Sequence, residues 1–238
     1  QSPPEAQLTE ETAEEIPFDE KLVEEIDRRL SWQYPYRELT ALPRKFTVSE
    51  LAKEKLDKVE LSSPDFSAQE SGASRGSATH RFMEECDFTL AAQSIENEIS
   101  RLVRQGLLSE REGRLVNREK TASFFSSPLF ERIQQAIRVD RERDFIYQLP
   151  AGRVSKLTGA SAEEKVILQG CADCVVFEGD GLLLIDYKTD RMESPQDFIQ
   201  RYALQLELYA EALTELYKIP VKEKIIFSFH LGEAIDVT

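Results

Sequence analysis

The sequence has few of the residues on which disulfide-rich, zinc-binding or membrane-spanning proteins depend. Among its 238 residues there are 3 cysteines and 2 histidines. Three cysteines cannot form a disulfide framework, so a reducing, cytoplasmic location is expected. No run of about 18 apolar residues occurs, which argues against a membrane span. The N-terminus has no signal-peptide pattern, and it lacks an initiator Met, which is typical of a piece of a longer chain.

Positive charge is also scarce, because 30 Lys and Arg stand against 44 Asp and Glu, and the net charge is −14. Taken alone, this balance argues against a nucleic-acid partner, whose backbone is a polyanion. The acidic excess is uneven, however, since residues 1–30 hold ten acidic and three basic side chains. An acidic segment that opens with Ser-Pro-Pro is typical of a solvated linker. The milder charge of the remaining chain does not exclude a DNA substrate.

The composition changes along the chain and predicts three parts. Leu22, Ile26 and Leu30 have helical spacing, whereas residues 62–78 are rich in Ser, Gly and Ala and are expected to be flexible. Helical patterns dominate from Thr79 onwards. The expected parts are an acidic linker at 1–18, a helical lead-in with a flexible linker at 19–76, and a main domain at 77–238.

Within the main domain, the apolar period changes from helical to strand-like after Arg138. Three strands close together in sequence are expected to form an antiparallel meander, followed by one long helix and a further strand. This order indicates an α/β fold with a mixed, largely antiparallel sheet flanked by helices. The predicted strands cover 142–150, 165–177, 182–189 and 224–230, and the long helix covers 195–218.

The most informative stretch is 169–190, which combines a hairpin signal with two aspartates. Gly179-Asp180 is typical of a two-residue type II′ turn with Gly at the first central position. A hairpin closed by this turn places Asp173 directly opposite Asp186 on the same face. Their Cβ atoms would then lie about 5 Å apart.

Two carboxylates that face each other on buried strands are costly, because like charges repel and burial removes their hydration. A divalent cation would convert the repulsion into coordination, and oxygen ligands favour Mg²⁺ or Mn²⁺. Lys188 lies on the same face as Asp186 and could stabilise a developing negative charge. This set suits phosphodiester hydrolysis. The same residues also fit a buried Asp–Lys ion pair in which Asp173 caps a turn.

The motifs around the hairpin resemble those of the RecB-like nucleases of the PD-(D/E)XK superfamily. Two of the shared motifs lie on the hairpin: Gly170 three residues before Asp173, and Ile-Asp-Tyr-Lys-Thr at 185–189. The other two are Gln205-x-x-x-Tyr209 on the next helix and an upstream Gly76-x-x-x-His80. The ordered segments WQYPY, KFTVSEL, RGSATH, RERDF and IDYKTDR are similar to the nuclease ends of helicase/nuclease A subunits (AddA type). That similarity covers roughly residues 31–238.

The resemblance implies a restriction-endonuclease-like core and a RecB-like nuclease domain at 77–238. The implied catalytic residues are Asp173, Asp186 and Lys188. The implied Mg²⁺ ligands are His80, Asp173, Asp186 and the Tyr187 carbonyl. Gln205 and Tyr209 are implied to bind substrate or position the lysine. Mn²⁺ could replace Mg²⁺. Glu142 could support or help bind the metal, or it could lie at the surface.

The implied function is metal-dependent exonuclease cleavage of DNA, on single strands delivered by a helicase motor upstream in the same chain. A B-type partner subunit (AddB-like) and a role in double-strand-break repair and recombination are implied as well. No Gly-x-x-x-x-Gly-Lys-Ser/Thr loop occurs, so ATP would bind only in the missing motor. The four cysteines that hold an iron–sulfur cluster in related B subunits are absent, and no such cluster is expected.

Other functions remain open. A stand-alone RecB-like exonuclease is disfavoured by WQYPY and the absent initiator Met, and a non-catalytic DNA-binding or docking module by the intact Asp–Asp–Lys–His set. Cys171 and Cys174 form a Cys-x-x-Cys pair that could suggest a zinc module. Residues three apart on a strand point to opposite faces, so both are expected in the core, without zinc. Arg191 and Lys156 could contact phosphate but are more typical of solvated charges, and His230 is expected to be structural or exposed.

Overall fold

The computed structural model describes residues 19–34, 37–40, 43–51, 66–154 and 160–238. The chain divides into two compact units, Gln1–Ala41 and Leu42–Thr238. The expected acidic linker at 1–18 lies outside the described residues, and the domain boundaries expected from the sequence stay a prediction.

In the first unit, helix α1 (Glu20–Leu30) begins where the carboxylate of Asp19 accepts hydrogen bonds from the backbone N–H groups of Lys21 and Leu22. These bonds satisfy donors that every helix N-terminus leaves free. The spacing of apolar residues therefore predicts this helix correctly. A short helix, α2, covers Arg37–Thr40.

In the second unit, helices dominate before the long strands begin. The helices are α3 (Phe66–Glu85), α4 (Phe88–Gln93), α5 (Ile95–Arg104), α6 (Glu110–Leu115), α7 (Arg118–Phe125), α8 (Pro128–Gln134), α9 (Ala160–Glu163) and α10 (Pro195–Tyr217). The strands are β1 (Lys45–Thr47), β2 (Arg138–Pro150), β3 (Lys165–Glu178), β4 (Gly181–Lys188), β5 (Val221–Ser228) and β6 (Glu233–Asp236). Among the described helices, none combines the length and apolar character that a membrane crossing requires.

The six strands form one mixed sheet. β2, β3 and β4 pair antiparallel in chain order, which confirms the predicted meander. β1 pairs with β3 and β5 pairs with β4 in parallel, while β6 pairs antiparallel with β5. The predicted fold class, a mixed and largely antiparallel sheet flanked by helices, is confirmed.

The β3–β4 hairpin has the predicted turn. Glu178 pairs with Gly181, and Gly179 has a φ of 52°, which glycine adopts without a steric penalty. The paired ladder runs from the turn to Cys174 and Ile185 and ends there. The hairpin therefore has a fully paired closed end and an open end at which the two strands continue beyond their last shared pair.

Helices α3 to α8 cover one face of the sheet with an apolar core. Sheet residues such as Ile185 and Tyr187 enter that core, and the ring of Phe124 lies 5.5 Å from that of Tyr187 between centroids. Helix α10 packs against β2, β4, β5 and β6. It covers the opposite face of β4, because Asp186, which alternates with Ile185 and Tyr187, contacts Gln205 of α10.

Two local predictions are wrong. Composition predicts flexible chain at 62–78, but residues 66–78 belong to α3, where Ala78 is fully buried in the core. Residues 62–65 lie outside the described part of the chain. The spacing of apolar residues predicts that the first long strand begins at 142 and that Ile137 lies on the apolar face of a helix. Instead Ile137 is 77% exposed, and its backbone N–H donates to the carbonyl of Phe177, so the chain joins the sheet immediately after α8.

Candidate active site

The candidate site residues predicted from the sequence lie together at the open end of the β3–β4 hairpin. Five elements supply them: His80 lies on α3, Glu142 on β2, Asp173 on β3, Asp186 and Lys188 on β4, and Gln205 and Tyr209 on α10. Widely separated parts of the chain thus converge on one edge of the sheet.

Asp173 follows the hairpin ladder beyond its last pair, and its carboxylate takes the place of a ladder partner. Its Oδ2 accepts a hydrogen bond of 2.6 Å from the backbone N–H of Tyr187. Its Oδ1 lies 3.5 Å from Nδ1 of His80. Asp173 is 8% exposed, and it links the end of β4 to helix α3.

Asp186 is more deeply buried, with 1% of its surface exposed. Its Oδ2 lies 2.6 Å from Nζ of Lys188. Its Oδ1 accepts a hydrogen bond of 3.1 Å from Nε2 of Gln205, and that amide also donates to the hydroxyl of Tyr209 at 3.2 Å. The polar interruption in the apolar face of α10 therefore has the partners that burial demands.

The two aspartates have pKa values shifted in opposite directions. Burial raises the pKa of Asp186 to about 6, although the Lys188 ammonium opposes the shift. Burial acts on Asp173 too, but the charge and hydrogen bond of His80 outweigh it and lower the pKa of Asp173. Burial by itself lowers the pKa of His80, yet Asp173 raises it to about 9. Neighbouring acids with divergent pKa values are typical of functional sites.

Glu142 joins His80 and Asp173 in a cluster of metal-ligand type. One ligand atom of each residue lies within 4.8 Å of the other two. The β2–β3 ladder pairs Arg141 with Cys174 and Arg143 with Ala172, so Glu142 and Asp173 occupy the interrupted position between these two pairs. The φ of Glu142 is 45°, a strained value for a residue with a side chain, and such strain concentrates at functional sites. Asp186 is not a member of this three-residue cluster.

The donor set of the cluster fits a divalent ion. Carboxylates and an imidazole are ligand types that divalent metal ions take in proteins. Burial, followed by the charge of Asp173, raises the pKa of Glu142, as expected where acids crowd together. The sequence leaves open whether Glu142 supports the metal site, helps bind the metal or lies at the surface, and the structure places it in one cluster with His80 and Asp173.

Comparison with known protein families places this chain in a family. The sequence model of the PD-(D/E)XK nuclease superfamily matches residues 36–233. That range contains every residue of the candidate site. The chain belongs to the PD-(D/E)XK nuclease superfamily.

Similar curated proteins include three longer chains. Those of Desulforamulus reducens, Alkaliphilus oremlandii and Bacillus velezensis are 34%, 32% and 31% identical over 93%, 89% and 94% of this chain. All three are named as A subunits of ATP-dependent helicase/nucleases. The chain covers 19–20% of their length, or about a fifth of each relative.

Close packing explains two glycines of the PD-(D/E)XK motifs. A Cβ atom on Gly170 would lie 2.4 Å from Cζ of Phe145 and 2.9 Å from Cε1 of Tyr209. A Cβ atom on Gly76 would lie 3.0 Å from Oγ1 of Thr189. Both glycines let other elements approach the strand ends that carry the aspartates and the lysine.

Two residues that the sequence pattern does not indicate as part of the site lie next to Lys188: Tyr202 contacts the lysine, and Asp190 contacts Tyr202. Nζ of Lys188 lies 4.4 Å from the ring centroid of Tyr202, in cation–π contact. The hydroxyl of Tyr202 donates a hydrogen bond of 2.9 Å to Oδ2 of Asp190. Tyr202 precedes Gln205 by three residues on α10, so helical spacing could have identified it.

The Cys-x-x-Cys pair is divided between two environments. Cys174 is buried in the core, but Cys171 is half-buried and its thiol donates a 3.4 Å hydrogen bond to Glu142. The expectation that both are core residues is thus wrong for Cys171, because its position on β3 faces the polar site. His230 is half-buried beside Lys120, and Lys156 lies outside the described residues.

Proposed function

We propose that this chain is a metal-dependent deoxyribonuclease that hydrolyses phosphodiester bonds as an exonuclease. The observation that carries the proposal is the meeting of Asp173, Asp186 and Lys188 beside His80 and Glu142, in a chain of the PD-(D/E)XK superfamily. Acidic ligands for a cation next to a buried ammonium are what an anionic transition state on phosphorus requires.

Mg²⁺ is the proposed resident ion, and Mn²⁺ is its expected substitute. His80, Glu142 and Asp173 would hold it, with Asp186 and the Tyr187 carbonyl as the further ligands that the family pattern implies. When bound, the ion supplies Lewis-acid activation of water and neutralises charge on the scissile phosphate. It would also relieve the repulsion among the buried carboxylates.

Lys188 contributes a positive charge in a defined place. Burial by itself lowers its pKa, but Asp186 and Asp173 raise it, which keeps the ammonium protonated. Asp186 holds one side of the ammonium and the ring of Tyr202 the other. An ammonium fixed in this way can bind a phosphate oxygen and stabilise negative charge on the attacking oxygen. Gln205 keeps the Asp186 carboxylate oriented through its amide.

The proposed biological setting follows from the relatives' names. The chain would be the nuclease part, at 77–238, of a longer protein whose upstream helicase motor binds ATP and feeds it single-stranded DNA. A role in double-strand-break repair and recombination, a cytoplasmic location and a partner of B type (AddB-like) belong to the same proposal. Its support is the identity of 31–34% to proteins named as A subunits of ATP-dependent helicase/nucleases.

The test is cleavage of labelled single-stranded DNA with and without Mg²⁺ or Mn²⁺. We expect metal-dependent cleavage that is lost in Asp186→Ala and in Lys188→Ala. Lys165→Ala, which removes an exposed lysine at the far end of β3, is the matched control and should remain active. Calorimetric titration with Mn²⁺ should show binding that Glu142→Gln weakens. The proposal is contradicted if cleavage survives both site substitutions. It is also contradicted if the wild type neither binds metal nor cleaves DNA.

A non-catalytic DNA-binding or docking module is the second candidate, and two observations favour it. Asp173 accepts a backbone hydrogen bond, and Asp186 pairs with Lys188, as expected if both aspartates were structural. This candidate predicts that Mn²⁺ does not bind and that DNA binding is unchanged in Asp186→Ala. The metal titration therefore separates the two functions.

A further inference from the structure

A cluster of cationic and histidine side chains lies beside the candidate site and takes no part in the chemistry described above. Nζ of Lys120 on α7 lies 2.8 Å from Nδ1 of His230 and 3.4 Å from its carbonyl oxygen. His230 follows β5, so the contact joins a helix to the end of a strand. The ammonium can only donate, so Nδ1 accepts and the ring proton of a neutral His230 lies on Nε2.

Arg191, an exposed residue three positions after the end of β4, lies near enough to His230 for its positive charge to act on the imidazole. Burial lowers the pKa of His230, and the positive charges of Lys120 and Arg191 lower it further. Among the described residues, neither Lys120 nor Arg191 forms an ion pair with a carboxylate. In a chain with a net charge of −14, three such groups that gather without an acidic partner favour an anion.

Strand pairing places the cluster next to the candidate catalytic lysine. Ser228 of β5 pairs with Lys188, and the backbone N–H of Phe229 donates a 2.8 Å hydrogen bond to the carbonyl of Lys188. His230 is the next residue, and Arg191 follows Lys188 by three positions. From strand spacing and rise, the cluster lies on the order of 10 Å from the end of β4.

The turn that carries His230 is held rigidly. The backbone N–H of Leu231 donates to Oγ of Ser228, and that of Gly232 donates to the carbonyl of Ser228 at 2.8 Å. Gly232 has a φ of 75°, which a side chain would strain. These bonds hold the backbone around His230, and the contact with Lys120 orients its imidazole.

We propose that Lys120, His230 and Arg191 form a binding site for a backbone phosphate of the DNA strand, adjacent to the phosphate that is cleaved. The inference rests on the proposed nuclease function and adds a subsite to it. Lys120 and Arg191 supply charge, and Nε2–H of His230 donates a hydrogen bond to a phosphate oxygen. Contacts of this kind hold the strand without reading its sequence.

The experiment measures binding of a fluorescently labelled single-stranded oligonucleotide by anisotropy, without divalent metal, over a series of NaCl concentrations. We expect the Lys120→Gln/Arg191→Gln variant to bind several-fold more weakly. Each lost phosphate contact should flatten the slope of log affinity against log salt by about 0.7. Lys120→Arg/Arg191→Lys, which keeps both charges, should restore most of the binding, and His230→Gln should weaken it.

The matched control is Arg104→Gln/Lys165→Gln, which removes the same charge far from the site and should behave as the wild type. Equal losses in both double variants, no loss in the subsite variant, or no binding by the wild type would each overturn the subsite. Metal-dependent cleavage by the wild type is scored separately. An active nuclease with unchanged binding in the subsite variant overturns the subsite alone. Binding through the cluster, with neither metal binding nor cleavage by the wild type, overturns the nuclease function and leaves a site for DNA phosphate.

Discussion

The two ends of the β3–β4 hairpin use the same pair of strands in opposite ways. At the closed end, every residue from the turn to Ile185 has a ladder partner, and residues such as Leu183 and Val176 are buried among apolar neighbours. At the open end the ladder stops, and Asp173 and Asp186 are buried in its place. Apolar packing at one end anchors the strands, so the other end can keep carboxylates that would by themselves destabilise a sheet.

The largest expected effect is on activity at the open end. Replacing the whole buried pair in Asp186→Asn/Lys188→Met should lower the cleavage rate by on the order of a thousandfold. The free energy of unfolding should stay within about 1 kcal/mol or rise, because a buried ion pair is stabilising only marginally against a neutral replacement. Cleavage kinetics and urea unfolding of the same protein check both parts, and a large loss of stability would assign the pair a structural role.

The closed end should show the reverse pattern. Leu183→Ala removes a side chain that is 1% exposed and should lower the free energy of unfolding by about 3 kcal/mol. The metal-dependent cleavage rate per folded molecule should not change. Urea unfolding and cleavage at a temperature where the variant is fully folded provide the measurement. A fall in activity beyond the unfolded fraction would mean that the two ends are coupled.

Replacing a glycine near each end of the hairpin tests whether steric changes at the two ends affect activity differently. Gly170→Ala pushes a Cβ into the rings of Phe145 and Tyr209, and it should cost about 2 kcal/mol and lower the cleavage rate through the displaced Tyr209. Gly179→Ala at the turn has nothing within 4 Å of its Cβ, and it should cost about 1 kcal/mol through its positive φ alone, with unchanged activity. Equal activity losses would contradict the separation.

Tyr202 tests how the lysine is held. Tyr202→Leu removes the ring next to Lys188 and should lower kcat about tenfold, since a desolvated cation–π contact contributes about 1 to 2 kcal/mol. Tyr202→Phe keeps the ring and should retain most of kcat, and KM should change little in either variant. Equal losses in both variants would instead assign the role to the hydrogen bond with Asp190.

The smallest effect concerns a carboxylate near the closed end. Burial tends to raise the pKa of Asp140, but hydrogen bonds from Arg138 and Tyr217 outweigh it and lower the pKa. Its ionised form therefore stabilises the fold above its unfolded pKa of about 4, and this contribution is lost as pH falls through the lowered value. The stability difference between wild type and Asp140→Asn should shrink between about pH 5 and pH 3 in urea unfolding. A constant difference would contradict this origin.

Much of the fold is predictable because its signals are local. The turn at Gly179-Asp180 sets the hairpin register, and that register places Asp173 and Asp186 on neighbouring strand positions. The periodicity of α10 places Gln205 toward the sheet, and the structure shows that its amide bonds Asp186. Composition does not predict the helix over 66–78, which ends in a core segment where Ala78 packs with residues from distant parts of the chain.

The hairpin and the short-range sets Asp186–Lys188 and Gln205–Tyr209 can be predicted from the sequence alone, because turn chemistry and side-chain period act over a few residues. Only the tertiary structure decided that Glu142 stands beside His80 and Asp173, that Tyr202 packs on Lys188, and that Lys120 meets His230. Those contacts join residues from different strands and helices. They depend on how the sheet and helices pack, a long-range property that no local pattern encodes.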